Sequence, residues 1–560
     1  MKLNYWKTLK VGLAFAIIMV FWTAYDYVVP LLLEHAYGLP NSVRGLVMGL
    51  DNLLSLFLLP VFGRISDKTH TKWGRRTPFI VVGTLVSVVL MIFVPISANQ
   101  SLKDGEALRT EITETWAEDY SYTDENGVTY NAAELYTMLY EKGAEDSDYA
   151  DRTFLVQGGI NNLEDYLGVA LAPLDENGDL TEEYSRYIET GINTYASDQV
   201  YQKLTLNNMT SLIVYMIILF FVLVAMASFR SPAVALMPDV TPKPLRSQAN
   251  AMINLAGGAG GAVAFLIYTI TLLINPTGFI AIFVAVAASM VILLALFLWL
   301  VKEPKLVREC EALCAEYGIS NDDEEIPENL SKGTENADGV KVVDGEEYKK
   351  YKRSRFISFI LILASIFMWF MGYNAISSNL SIYLTKTLNL SSGLGGIISG
   401  ISMGISAVAF IPVGILAVKI GRRKSIMLGF GFATLSFILI YFFASSPSAA
   451  AVYLYTVFYL IAGFGLIIAN VNTFPMVVEL ASSGDTGKYT GFYYAATMSA
   501  QAITPFIAGL IMDKWGSKYL FLYSTVCVAL AIVLMIFVRH GDSKAPPPKS
   551  KLEMLGAADD

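Results

Sequence analysis

The chain is poor in cysteine, histidine and charge. Three cysteines and three histidines occur among 560 residues, and only 16% of the residues are charged. Cys310 and Cys314 form a Cys-x-x-x-Cys pair without further Cys or His nearby, which makes a poor metal site and reads as two reduced thiols. No nucleotide-binding loop, catalytic triad or metal cluster is written in the sequence. Neither a primary pump nor a membrane enzyme is therefore expected, and no cofactor, metal or nucleic-acid partner.

What the sequence has in abundance is apolar length. Hydrophobic residues make up 54% of it, and runs of about 20 residues, enough to span a bilayer, recur at roughly 10–33, 42–63, 78–98, 209–229, 248–274, 279–301, 356–385, 393–417, 425–445, 449–472, 489–512 and 518–538. A soluble core has no use for twelve such runs, so the chain reads as a polytopic membrane protein. Each span is expected to be a helix, because a backbone in lipid must satisfy its own hydrogen bonds. The first run follows Lys2, Lys7 and Lys10, is too long for a signal-peptide core and lacks a small-residue cleavage site, so it reads as the first membrane helix.

The basic residues of the short loops set the orientation. The stretch GRISDKTHTKWGRRTPFI, residues 63–80, holds five Lys/Arg and one acid, Asp67, between two apolar runs. Arg230, Lys243 and Arg246 fall after the fourth run, and Lys419, Arg422, Arg423 and Lys424 after the eighth. The alternate loops hold few, with Arg44 at the outer end of the second run. This places both termini in the cytoplasm of a multi-pass plasma-membrane protein.

The chain also repeats itself. Gly63, Gly74, Arg75 and Arg76 are echoed by Gly414, Gly421, Arg422 and Arg423, and AYDY at 24–27 by GYNA at 372–375. Gly63 to Gly414 is an offset of 351, whereas Asp239 in MPDVTP pairs with Glu479 in MVVELA at an offset of 240. The difference is the length of an insertion carried by the first half alone. The expected organisation is helices 1–3 in residues 1–97, an acidic extracellular insertion at 98–208 and helices 4–6 at 209–301. A cytoplasmic linker at 302–355, helices 7–12 at 356–539 and a disordered cytoplasmic tail at 540–560 follow. The insertion has 23 Asp/Glu against six Lys/Arg, a net charge of −17, so the remainder carries +8. Its eleven tyrosines and Trp116 predict a partly folded unit. DENG at 124–127 and at 175–178 signals turns and lacks EF-hand spacing.

Gly-x-x-x-Asp-Lys followed by Gly-Arg-Arg, here Gly63, Asp67, Lys68, Gly74, Arg75 and Arg76, resembles the loop motif between helices two and three of the major facilitator superfamily. The weaker copy at 414–424 lies where that superfamily repeats it, with Val418 replacing the acid. The fuller stretch SDKTHTKWGRRTPFI, and RSPAVALMPDVTPKPLRSQANA at 230–251, are similar to the branch of sucrose transporters and glycoside–pentoside–hexuronide:cation symporters. The resemblance covers both halves but not residues 98–208. It implies an all-α fold of twelve transmembrane helices in two pseudo-symmetric six-helix bundles. It also implies a cytoplasmic gate that breaks and re-forms, built from Gly63, Asp67, Lys68, Gly74, Arg75, Arg76, Asp239 and Arg246 and, in the second half, Gly414, Gly421, Arg422, Arg423 and Glu479. Sodium-coupled melibiose permeases carry acids just before, and one turn before, the proline that precedes this loop. Leu59 and Ser55 stand at those positions before Pro60, which favours protons over sodium.

Two acids fall inside spans, Asp26 in FWTAYDYVVP and Asp51 in MGLDNLL, each about two turns from the outer end of its helix. Burying a charge there costs roughly 2.5–3.5 kcal/mol on insertion scales. A carboxylate in low-dielectric surroundings holds its proton toward neutral pH, which suits proton coupling, whereas Asn374, the counterpart of Asp26, does not titrate. Pro30, one turn on, is placed to loosen that helix. The alternative role for either acid is a structural hydrogen bond to a neighbouring helix.

A sugar needs aromatic faces, amides and hydroxyls in a cavity. Trp22, Tyr25, Asn52, Asn254, Trp369, Tyr373, Asn374, Asn379, Tyr493, Tyr494 and Gln501 supply them, although any one aromatic in a membrane helix is more often packing. Gly257, Gly258, Gly260 and Gly261 read as close-packing positions. The expectation is a monomeric secondary transporter coupling a sugar or glycoside to protons. Its alternatives are a proton-driven exporter of drug-like or metabolic compounds and a nutrient receptor on a transporter scaffold.

Overall fold

The computed structural model describes residues 4–114, 121–242, 246–316, 345–391, 393–398, 400, 421–478, 480 and 486–540. The tail beyond 540, the acidic stretch of the linker, Gly414 with Val418, and Glu479 lie outside the described residues, as does most of the apolar run 393–417.

The first half begins with a short helix α1 (Tyr5–Val11), and Gly12 joins it to α2 (Leu13–Tyr37). α3 (Asn41–Asp67) and α4 (Thr77–Thr113) follow. The insertion contributes a two-stranded hairpin, β1 (Tyr122–Thr123) and β2 (Thr129–Tyr130), and the helices α5 (Ala132–Lys142), α6 (Arg152–Gln157), α7 (Leu163–Ala170), α8 (Glu182–Tyr187) and α9 (Glu189–Gln199). The chain returns through α10 (Met209–Asp239), α11 (Arg246–Ile274), α12 (Phe279–Leu300) and the amphipathic α13 (Glu303–Glu316). The second half holds α14 (Gly345–Ile382), α15 (Arg422–Phe443), α16 (Ala449–Val478), α17 (Thr486–Trp515) and α18 (Tyr519–Ile536). Eleven of the described helices are long and apolar enough to cross a membrane. In the first half α2 packs on α11, α12 and α4, while α10 packs on α3 and α4; in the second, α14 packs on α17 and α18, and α15 on α16 and α18.

Three boundaries differ from those that hydropathy gives. α4 runs 37 residues, far past the end of its apolar run, because the insertion begins as a continuation of the membrane helix. α14 starts at Gly345, so the basic stretch of the linker is already helical. α10 continues through Pro232 and Pro238 to Asp239, which puts Arg230 inside the helix and not in a loop. Pro30 does not interrupt α2.

The close-packing glycines divide. A Cβ at Gly257 would lie 2.5 Å from the Phe15 ring and one at Gly260 would lie 2.5 Å from the Ala16 carbonyl oxygen, whereas Gly258 meets nothing within 4 Å. The first two therefore let α11 approach α2, and Gly258 does not.

The insertion has its own apolar core, built around Leu135, Leu139, Ile188, Ile192 and the tyrosines 122, 136, 166, 184 and 195. Tyr136 and Tyr184 share a 2.7 Å hydroxyl hydrogen bond, and Tyr122 donates to Gln199 at 3.0 Å. Both DENG stretches are turns: the Asp124 and Asp175 carboxylates each accept two backbone N–H groups, with Gly127 and Gly178 at φ +79° and +82°.

Candidate functional site

Between the halves, α2 presents Trp22, Tyr25 and Asp26 on successive turns. Trp22 and Tyr25 are buried and meet edge to face at 5.3 Å. Asp26 sits midway along the most buried of the spanning helices, and its own side chain keeps an exposed surface. Asp51 on α3 is buried and accepts from Asn52 Nδ2 at 2.8 Å. Asp26 lies 11 residues from the end of α2 and Asp51 ten from the start of α3, and with antiparallel chains the two carboxylates stand at one depth.

The third charge of this site is Arg230. Its guanidinium lies 5.3 Å from the Trp22 ring centroid, and it acts electrostatically on both Asp26 and Asp51 and on Tyr494 of the second half. By sequence alone Arg230 reads as a loop residue, because it follows the apolar run and shortly precedes Pro232. The signal that places it correctly is the apolar stretch AVALMP beyond it, which carries α10 two more turns. Tyr373 of α14 and Tyr268 of α11 also sit within electrostatic reach of Asp26; Tyr268 stacks on Tyr27 at 4.5 Å. Two buried donors near the carboxylates, Trp22 Nε1 and Tyr25 Oη, have no partner among the described residues. Together these residues offer a cation, two acids, ring faces and unused donors, a set that suits a hydroxyl-rich ligand.

The other sequence candidates separate. Tyr494 is 49% exposed and packs against Tyr493, which rests on Phe474. Gln501 is half-buried beside Ala502, where α17 crosses α3. Asn374 is half-buried with its amide donated to the Phe370 carbonyl. Trp369 is fully buried against Phe430 at 4.8 Å, its Nε1 reaching Asn470 at 3.5 Å, so it backs Tyr373 from the core. Asn379 is buried and turns its amide to the Ala375 carbonyl. Asn254 is exposed at the level of Gly12, 14 residues and about 21 Å along the axis of α2 from Asp26. Trp369, Asn379 and Asn254 therefore do not join the carboxylate cluster.

The loop between α3 and α4 forms a second polar centre. Arg76 is buried and bridges Asp67 at 2.6 Å and Asp239 at 2.8 Å, while Arg75 reaches Asp239 at 2.7 Å. Glu303, the first residue of α13, is also buried; it accepts from the backbone N–H of Arg75, Arg76 and Thr77 and from Thr77 Oγ1, at 2.7 to 3.1 Å. It thereby supplies the cap and the negative charge that the start of α4 lacks locally. Gly74 has φ +109°, and a Cβ there would lie 2.2 Å from the Glu303 carboxyl carbon, so this glycine admits the acid. Gly63 comes close to Ser231 of α10, Lys68 is exposed, and Arg246 opens α11. In the second half Gly421 has φ +90°, Arg422 is nearly buried, and Arg423 donates to the Met535 and Ile536 carbonyls that end α18. Among the described residues the Arg76 cluster ties α3, α4, α10 and α13 of one half together. Glu303→Ala should leave three buried N–H groups unpaired and lower unfolding stability by about 3 kcal/mol, with Glu303→Gln recovering part of it; thermal unfolding of the purified protein reads both.

The halves themselves meet on the opposite face, which carries the insertion. Cβ atoms at Gly45 and Gly49 would lie 1.9 and 2.3 Å from the Pro505 and Ala502 carbonyl oxygens, and one at Gly509 would lie 2.2 Å from the Asn41 carbonyl oxygen. Asp513 caps α3 by accepting from the N–H groups of Asn41 and Ser42 at 2.6 and 2.8 Å. Gly393 and Gly396 close similarly on Leu273 and Thr269 of α11.

The sequence model of the Major Facilitator Superfamily matches residues 204–487, and that described as MFS/sugar transport protein matches residues 11–115. The fold is similar to that of a D-xylose–proton symporter, with a TM-score of 0.53 at 13% identity over 96% of this chain and 98% of that one. It is similar also to the inward-open xylose transporter XylE of E. coli, with a TM-score of 0.53 at 13% identity over the whole of both chains. Short stretches match curated relatives. The membrane-associated transporter protein of Homo sapiens is 38% identical over 68 residues, 12% of either chain. Proton-associated sugar transporter A of Mus musculus is 33% identical over 93 residues, 16% of this chain and 12% of that protein, and the lactose permease of Leuconostoc lactis is 36% identical over 64 residues, 10% of either. The matches thus span about an eighth of those relatives' length. With a family match over half its length, two helical halves and the loop motif in place, the chain belongs to the Major Facilitator Superfamily, a family of transporters.

Proposed function

We propose that the protein is a secondary active transporter of the plasma membrane that carries a sugar or glycoside together with protons by alternating access. The observation that carries this reading is the meeting of Asp26, Asp51 and Arg230 where the halves face each other. A carboxylate within electrostatic reach of a cation gives a proton and a substrate one shared site: protonation removes the charge that attracts the arginine, and the arginine and aromatic rings then hold hydroxyl groups. Among the described residues the halves are closed on the insertion face. With the Arg76 face cytoplasmic, as the loop charges argue, closure on the insertion face suits an alternating-access cycle. The match of the first helices to a sugar-transport family supports the substrate class.

The test is uptake of labelled sugars into vesicles with and without an inward pH gradient. Gradient-stimulated uptake is expected; gradient-independent uptake removes the coupling, and no uptake of any sugar removes the substrate class. A thermal-shift screen against a sugar panel selects the compounds, since a ligand of the folded state raises its melting temperature.

A further inference from the structure

The insertion belongs by sequence to the first half and is fixed to it firmly. Arg109 donates to the Glu34 carbonyl at 2.7 Å and to Ser197 at 2.5 Å, Ser197 donates to the Glu34 carboxylate, and Thr205 donates to the Tyr37 carbonyl at 2.8 Å. A Cβ at Gly38, φ +58°, would collide with the Ser197 carbonyl oxygen. The insertion therefore travels with α2.

Its other side grips the second half. The Asp148 carboxylate accepts from Ser517 N and Oγ, both at 2.7 Å, in the turn between α17 and α18. Lys518 pairs with Asp151 at 2.6 Å, both side chains mostly buried. Ser147 donates to the Trp515 carbonyl at 3.0 Å, and Gly516, φ +99°, has no room for a Cβ beside Ser147. At a separate point Asn389, the one described non-glycine residue with positive φ, donates to the Ser185 carbonyl at 3.0 Å and to Glu189 at 2.9 Å.

We propose that segments 146–151 and 185–189 of the insertion form a clasp that holds the two halves together on this face and must release whenever that face opens. The proposal rests on the alternating-access reading. If α2 moves away from α17 there, the insertion moves with it, and every one of these bonds lies across the parting line. A superfamily bundle needs only helix contacts to close this face; the insertion adds directional, charged ones that bias the equilibrium toward closure.

The clasp also responds to protons. Asp146 is pushed up to about 8, first by burial and then by the charge of Asp148, and burial raises Asp148 as well. Lys386, in the π-helical turn Tyr383–Thr387 that continues α14, opposes both shifts, Asp198 of α9 and Asp513 of α17 add to them, and Arg44 of α3 faces Asp148 and Asp513. The clasped form thus binds protons more tightly than the released one, in which these groups return toward 3.8. Its contribution is complete below that value and fades as pH rises through about 8.

Spin labels on exposed positions of the full-length protein test this. One pair, Pro276→Cys with Ala450→Cys, reads the insertion face; the other, Lys72→Cys with Lys424→Cys, reads the opposite face. Asp148→Ala should raise the open-to-closed ratio of the first pair roughly tenfold. Asp151→Lys and Lys518→Asp should each raise it, and the double swap should restore it, which separates release from misfolding. The open fraction should also grow between pH 6 and pH 9. Unchanged distances in all three variants, while the two faces of the unsubstituted protein still open in opposite senses, overturn the clasp. Faces that never exchange in opposite senses overturn alternating access instead.

Discussion

Asp26→Asn should abolish accumulation of substrate against a gradient while leaving exchange of labelled for unlabelled substrate intact. A gradient of one pH unit is worth about 1.4 kcal/mol per proton and sustains at most about tenfold accumulation with one proton per substrate. The amide is nearly the size of the carboxylate but fixes the neutral form, so protonation no longer distinguishes the two conformations and the accumulation ratio falls to about 1. Misfolding is not the expected outcome, because Asn374 places an amide at the pseudo-symmetric position of the second half. A variant that still concentrates substrate under a pH gradient makes Asp26 structural and passes the coupling role to Asp51.

Arg230→Met is expected to do more damage, eliminating exchange as well as accumulation. It leaves Asp26 and the buried Asp51 without the cation that acts on them both. Exchange should fall roughly 100-fold or more, with Arg230→Lys in between, because lysine keeps the charge but lacks the planar guanidinium that lies over the Trp22 ring. Exchange at the unsubstituted rate in Arg230→Met would remove the arginine from the transport site. The contrast between the two variants, coupling lost in one and turnover lost in the other, separates the proton site from the substrate site.

Much of this architecture was legible because lipid imposes length. A span of about 20 apolar residues has no other stable use, so the helices and their two-fold repeat could be read directly. Asp67 and Arg76 are also local, nine residues apart in one loop motif. The errors arose where position along the chain does not determine surroundings. Pro232 ended the apolar run but not α10, so Arg230 read as a loop charge; a proline is tolerated where neighbouring helices re-satisfy the backbone. Trp369 and Trp22 are the same residue type in matching helices, yet one is walled off by Phe430 and the other meets Arg230. Glu303 and Asp148 act on backbone groups more than two hundred residues away, and no local pattern announces such a partner. The insertion was recognisable as folded from its tyrosines, but not as a bridge between halves.

The most direct measurement of the central claim is proton movement driven by substrate alone. Purified protein is reconstituted into liposomes that hold a pH dye, with no pH gradient imposed, and a sugar found by thermal shift is added outside. Symport predicts acidification of the lumen that scales with sugar uptake, vanishes in Asp26→Asn and is absent with sugars that do not bind. Sugar entry without any change in internal pH would contradict the account.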